Sequence, residues 1–358
     1  MVISIDELER SVLEEGAQDV LGVINNGMLA LLVSVGHRTG LFDSLADLTP
    51  VTSSELAAES GLNERYVREW LSAMVTGGLA ELDAQEGRFS LPPARAAWLT
   101  RDAGPDNLAS LAQFVSLLGG VEDEIVDCFV QGGGVPYSSY PKFQQLMAED
   151  SAHIHDALLV DQIIPMAEGL PDALREGIEA LDVGCGQGHA VNLLAEAFPR
   201  SRFEGIDIAV EAVEAGRSEA STSGISNARF TVKDAATLGE PERYDLVTAF
   251  DAIHDQAEPA AVLKGIHDAL RPGGIFLCVD IGASSNLEDN IDHPLGPFLY
   301  TISTMHCMTV SLARDGAGLG TMWGEQVATA MLAAAGFVEI DVQRLEGDIA
   351  NVYYIARK

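Results

Sequence analysis

Positive charge is what this chain has least of. Lysine and arginine together number 21 against 54 acids, a net charge of −33, and the only lysines are Lys142, Lys233, Lys264 and Lys358. A nucleic-acid or anionic-membrane partner wants a basic face, so this balance argues against both. The acids are spread along the chain rather than bunched, which reads as a solvating surface. Cysteine is scarce too. Cys128, Cys185, Cys278 and Cys307 lie far apart, without CxxC or Cys/His metal spacing, so no metal is expected and the thiols read as reduced and intracellular. Long apolar runs are missing: the longest, "MLALLVSVG" at 28–36, is too short to span a bilayer. The acidic start "MVISIDELER" lacks the apolar core of a secretory signal. A soluble, cytoplasmic protein is the expectation. Nor is there a GKT or GKS to hold a polyphosphate.

What is present is enough for two domains. The chain has 358 residues and 47% hydrophobic content, ample for globular cores. Residues 1–100 read as mostly helical. In "SSELAAESGLNERYVREWLSAMVTGGL" two helices meet at a tight turn on Gly61, with Ser53 or Ser54 as the expected N-cap. Val67, Trp70, Leu71 and Met74 follow the spacing of a buried helix face. The short strands "GLAELD" and "GRFSLPP" follow around the turn "AQEG". Helix-turn-helix and then a hairpin is the order of a winged helix. Residues 101–177 read as a helical connector, broken by "QGGGVPYSSYP".

From 178 onward strands and helices alternate. The strands are "EALDVG", "RFEGIDI", "ARFTVKD", "YDLVTAF" and "IFLCVDI", an alternation that implies a parallel sheet with helices on its faces. The end of the chain breaks the pattern. "VEIDVQRL" and "NVYYIARK" are separated only by "EGDIA". Five residues cannot carry a crossover between parallel neighbours, so these strands must pair antiparallel. An all-parallel dehydrogenase sheet has no such end, which puts a nicotinamide enzyme far down the ranking.

One reversed final strand, with the loop "LDVGCGQG" at 181–188, resembles the class I S-adenosylmethionine-dependent methyltransferases. The α/β, Rossmann-like half at 178–358 is similar to their catalytic domain, and the first 100 residues resemble the winged helix attached to many small-molecule methyltransferases, plant-type O-methyltransferases and an actinobacterial group among them. Asp182, Gly184, Gly186 and Gly188 match the acid-x-Gly-x-Gly-x-Gly loop of the family, whereas the GxGxxG dinucleotide pattern fits less well. Bare positions there let backbone N–H groups approach a cofactor. Asp207 ends the second strand, where an acid can accept both ribose hydroxyls, with Ile208 beside it. The resemblance puts Asp234 against the adenine amino group, with the Ala235 N–H next to it. Asp182 either braces the loop or meets the methionine amino group. Phe250 and Asp251 stand at the carboxyl edge of the sheet. "YPKFQQLM" resembles the segment whose Phe and Met lie over the cofactor, and Phe143 and Met147, four apart, share a helix face. Core packing is the other reading of that pair.

His254, followed by Asp255, resembles the pair that supplies the general base in plant-type O-methyltransferases. A phenol or alcohol acceptor must lose a proton as its oxygen attacks the sulfonium methyl, and a histidine suits that step. A plain structural histidine is the alternative. No orienting carboxylate for it stands out, since Asp255 should point elsewhere. The insert "HPLGPFLYTISTMHCM" at 293–308 is placed to cover the acceptor, or simply to pack.

The leading function is therefore methyl transfer from S-adenosylmethionine to a small molecule, foremost to oxygen. A methyltransferase of RNA or protein comes second, and a winged-helix regulator that senses a ligand third. Between 52 and 78 the acids Glu55, Glu59, Glu64 and Glu69 outnumber Arg65 and Arg68, a poor surface for DNA. The apolar surplus of "NNGMLALLVSVGHRTGLFDSLADL" instead points to a homodimer.

Overall fold

The computed structural model describes residues 5–48 and 50–358, with side chains from residue 12 onward. The chain forms two compact units, Met1–Gly119 and Gly120–Lys358, so the helical stretch at 101–177 contributes to both.

In the first unit a long helix α1 (Ile5–Thr39) leads into α2 (Leu41–Leu48), α3 (Ser53–Ser60) and α4 (Glu64–Thr76), then the strands β1 (Glu81–Asp83) and β2 (Arg88–Ser90). These strands pair antiparallel, with Leu82 opposite Phe89. Gly61 ends α3 in the left-handed region at φ 67°, and Val67, Trp70, Leu71 and Met74 are all buried. The cap of α3 is Thr52, one residue before the expected serines. Its side chain accepts from Glu55 N–H while Glu55 reaches back to the Thr52 N–H. This reciprocal box satisfies two helix-start donors, which a serine at 53 or 54 has no partner to do. Ser53 instead donates to Glu64. The end of α1 is seated here: Trp70 Nε1 donates to Leu32 O at 2.9 Å, and a Cβ on Gly36 would come within 2.7 Å of the Trp70 ring.

The earlier part of α1 is different. Leu13 is 74% exposed, Val23 73% and Met28 63%. Reading only the unbroken apolar run at 28–36 understated this element. Val12–Thr39 is, by length and composition alone, long and apolar enough to cross a membrane. Small and neutral polar residues carry the apolar stretch from 20 to 37 without Asp, Glu, Lys or Arg, while Glu14, Glu15 and Asp19 precede it.

The second unit is built on a seven-stranded sheet. Its strands are β3 (Glu179–Val183), β4 (Arg202–Asp207), β5 (Ala228–Val232), β6 (Tyr244–Phe250), β7 (Leu270–Ile281), β8 (Glu339–Gln343) and β9 (Asn351–Arg357), in spatial order β5-β4-β3-β6-β7-β9-β8. All neighbours are parallel except the pairs β9 makes with β7 and β8. One reversed strand, joined to its predecessor by a short turn, is what the linker "EGDIA" demanded. Adjacent residues alternate between the two buried faces: Leu246, Leu277 and Tyr353 pack on one, Val247, Phe276 and Tyr354 on the other. The order reverses at β3, whose neighbours are β4 and β6. Open α/β sheets bind ligands beyond the strand ends at such a switch point.

Candidate functional site

The turn leaving β3 holds three glycines in the left-handed region: Gly184 at φ 71°, Gly186 at 51° and Gly188 at 76°. They are bare for different reasons. A Cβ on Gly184 would sit 2.5 Å from the Ala252 side chain, and one on Gly188 would sit 2.3 Å from the Phe230 ring. At Gly186 the nearest atom would be Gln144 Oε1, 3.9 Å away. Packing inside the protein thus excludes side chains at the outer two, while at the middle one a Cβ would make only ordinary contact. Gly184 and Cys185 both donate to Ile206 O, at 2.9 and 3.0 Å, pinning the loop to β4.

Carboxylates surround this loop. Asp182 is buried at the end of β3 and accepts from Thr248 Oγ1 on β6 at 2.7 Å. Burial pushes its pKa up to about 7. Asp207 accepts from Gly186 N–H at 2.9 Å through one oxygen and from Ala209 N–H at 2.8 Å through the other. Burial raises its pKa even against those bonds. Ile208 beside it is 51% exposed. Asp234 heads the turn Ala235–Thr237, accepting from Ala236 N–H at 3.0 Å, and Ala235 is buried behind it. Its other oxygen pairs with Arg314 at 2.8 Å, and this guanidinium holds the carboxyl below its usual range.

At the end of β6, Phe250 meets His155 edge-on, with centroids 4.9 Å apart. Asp251 takes φ 50°, rare outside glycine, and its buried Oδ1 has no hydrogen-bond partner among the described residues. Burial, then the charge of Asp280, raises its pKa to about 7. Three residues on, His254 is 3% exposed. Its Nδ1 donates to Asp280 Oδ1 at 2.7 Å. Trp323 Nε1 at 3.1 Å and Ile281 N–H at 2.8 Å donate to the same oxygen, locking the carboxylate. Burial works to lower the His254 pKa, but the Asp280 charge outweighs it and the pKa stands well above the ordinary histidine value. With Nδ1 committed, Nε2 is the nitrogen left to act as a base.

Asp280 is thus the orienting carboxylate that sequence reasoning missed. Its signal was its place at the end of "IFLCVDI", one strand over from the segment carrying His254. Asp255 does point elsewhere, accepting from the Tyr137 hydroxyl.

The helix Phe143–Ile154 reaches the glycine loop, with Gln187 Nε2 donating to Gln144 O at 3.2 Å. Phe143 is buried and stacks on His306, with centroids 3.6 Å apart, and Met147, one turn on, is half-buried. His306 belongs to the π-helical turn Ser303–Cys307 inside the insert at 293–308. Tyr137 and Tyr140 meet it edge-on. Burial, followed by the charge of His254, lowers its pKa to about 3, so it stays neutral. The Cys307 thiol lies 3.7 Å from His306 Nδ1, and burial pushes its pKa up against the opposing charge of His254. No motif singles out His306, Cys307 or Arg314, because only the fold of the insert and of the turn after it brings them to the sheet edge.

Two families match. One described as an Rv2258c-like winged HTH domain covers residues 27–101, and one described as a methyltransferase domain covers 174–309. The chain carries a class I methyltransferase domain behind a winged helix. Over 141 residues the chain is 33% identical to aklanonic acid methyltransferase of Streptomyces sp. (strain C5), a match spanning 38% of this chain and 64% of that one. A ubiquinone biosynthesis O-methyltransferase of Ruegeria pomeroyi is 35% identical over 29% of this chain and 42% of its own. The chain therefore spans less than two thirds of the length of these curated relatives. Among solved structures, mitomycin 7-O-methyltransferase superposes with a TM-score of 0.71 at 18% identity, covering 98% of this chain and 99% of that one. Human N-acetylserotonin methyltransferase in complex with S-adenosylmethionine gives 0.68 at 18%, covering 100% and 99%. At such identities the likeness is one of fold, and it extends over winged helix and methyltransferase domain alike.

Proposed function

We propose that the protein moves a methyl group from S-adenosylmethionine to an oxygen of a small molecule. The observation that carries this reading is the buried His254–Asp280 pair, held at 2.7 Å at the carboxyl edge of the sheet. A histidine so oriented suits removal of an acceptor proton. The residues present also suit the cofactor. The uncrowded face at Gly186 suits close approach, Asp207 would accept from the ribose hydroxyls, and Asp234 with Ala235 would meet the adenine. The unpartnered buried oxygen of Asp251 is a free acceptor at the same edge. Phe143 and Met147 border the loop side, and Asp182 braces the root of the loop through Thr248. Bound there, the cofactor supplies an electrophilic methyl on sulfur. The protein's part is to orient the acceptor, exclude water and take up the proton at His254 Nε2. Relatives named for aklanonic acid and for ubiquinone biosynthesis support a small-molecule acceptor, and the second, named as an O-methyltransferase, supports oxygen as the atom methylated.

Titration calorimetry with S-adenosylhomocysteine and turnover of hydroxylated quinones and phenols test this reading. His254→Ala should leave cofactor affinity nearly intact and lower the rate by roughly 10²–10⁴. An unchanged rate would make His254 structural, and tight NAD binding would end the reading altogether.

The exposed apolar residues of α1 favour a second copy of the chain as their cover, so the working form is a cytoplasmic homodimer that does not bind nucleic acid.

A further inference from the structure

Arg314 stands where a positive charge is least expected, in a chain with 21 basic residues against 54 acids. Its Nη2 donates to Asp234 Oδ2 at 2.8 Å. Since Asp234 Oδ1 accepts from Ala236 N–H, donors on both oxygens fix the plane of the carboxylate and leave one lone pair on each. The turn that carries Arg314 is pinned just as firmly. Ser311 Oγ donates to Gln256 O at 2.8 Å and accepts from Gly318 N–H at 3.0 Å. Ala317 N–H donates to Ala257 O at 2.9 Å, and Gly320 N–H to His254 O at 3.1 Å. A Cβ on Gly316 would lie 2.5 Å from Ala257 Cα. Asp315, next to Arg314, sits at φ 54°, a strained conformation that persists only where the surroundings over-determine it. The stretch from Ser311 to Gly320 is therefore packed onto the segment 254–257 that bears His254, and Arg314 reaches from it to the acid at the end of β5. Both side chains are partly exposed, and exposed pairs of this kind add little to stability. A role in orientation fits this geometry better than one in stability.

We propose that Arg314 is a positioning residue for the adenine end of the cofactor site, orienting the Asp234 carboxylate toward the purine amino group and tying it to the segment that carries His254. This rests on the S-adenosylmethionine reading above. A carboxylate accepts from an exocyclic amine and repels an exocyclic oxygen, so its fixed orientation becomes a preference for amino over oxo purines. Lysine at 314 would keep the charge without the planar fork.

Calorimetry on the full chain with two probes, S-adenosylhomocysteine and S-inosylhomocysteine, tests the proposal. Arg314→Ala should weaken the adenosyl probe by about three- to tenfold and narrow the adenosyl-to-inosyl ratio by a similar factor, with Arg314→Lys in between. Because Arg314 holds Asp234 below its usual range, its loss should also move the acid limb of binding to higher pH. Arg175→Ala, which breaks the exposed pair with Asp172, should change none of these. Unchanged affinity and ratio in Arg314→Ala would overturn the proposal, as would an equal loss in Arg175→Ala. Wild-type protein that binds neither probe would overturn the cofactor reading itself and this proposal with it.

Discussion

His254 and Asp182 are both buried at the sheet edge with raised pKa values, so both make stability fall as pH rises, each in its own window. The histidine has its pKa raised in the fold. Its contribution to stability is fully present below the unfolded pKa and is lost as pH rises through the folded one. A base must be unprotonated, so turnover should climb with pH through that raised pKa. Asp280→Asn removes the charge that raises it, so the limb should move to lower pH while the maximal rate falls. A pH–rate profile of both proteins checks this, and an unmoved limb would assign the titration to another group. Asp182 has its pKa raised from 3.8 to about 7. An acid whose pKa is raised takes up a proton on folding, so stability should fall as pH climbs through that window. Asp182→Asn removes the ionisable group and should flatten this slope, as read by urea unfolding at about pH 5 and about pH 8. An identical slope in the variant would locate it elsewhere.

The glycine loop is the element on which the three bare positions separate. Gly186→Ala places a methyl in ordinary contact, without a clash, at φ 51°, so the stability cost should be about 1–2 kcal/mol, that of a left-handed L residue. The methyl would also stand on the face a cofactor needs, and S-adenosylhomocysteine affinity should fall steeply. Gly188→Ala adds a clash 2.3 Å from the Phe230 ring, so about 1–3 kcal/mol of overpacking should come on top. Thermal unfolding should therefore rank Gly188→Ala below Gly186→Ala, and the reverse order would refute this account of the loop. The strands and the reversed terminal pair were legible beforehand, because linker length and period-two burial are local properties. The cap of α3 was misplaced by one residue, since Thr52 and Glu55 form a reciprocal pair that composition does not rank above a serine.

At the scale of the whole molecule, charge and apolar surface act together. A net charge of −33 repels polyanions, while α1 exposes Leu13, Val23 and Met28. A second copy covering α1 predicts about 76 kDa by light scattering at moderate salt, twice the 38.0 kDa of one chain. Duplex DNA should show no retardation at micromolar protein. Salt screens the mutual repulsion of two acidic chains, so dimerisation should tighten as salt rises. A stable monomer that partitions onto lipid vesicles would instead assign the helix Val12–Thr39 to a membrane.

The layered α/β sheet, its reversed end, the winged helix before it and the glycine turn with its flanking acids were all readable from the order of residues. Each of these follows from periodicity, linker length or the conformational freedom of single residues, which neighbours in the chain control. Which side chains meet came only with the folded chain. Asp280 meets His254 because β6 and β7 lie side by side. Asp234 meets Arg314, 80 residues away in the chain, because the turn after the insert folds back onto the segment 254–257. Pairings of this kind depend on which buried polar atoms find a donor or acceptor within about 3 Å, and residue type and spacing along the chain carry no record of that distance.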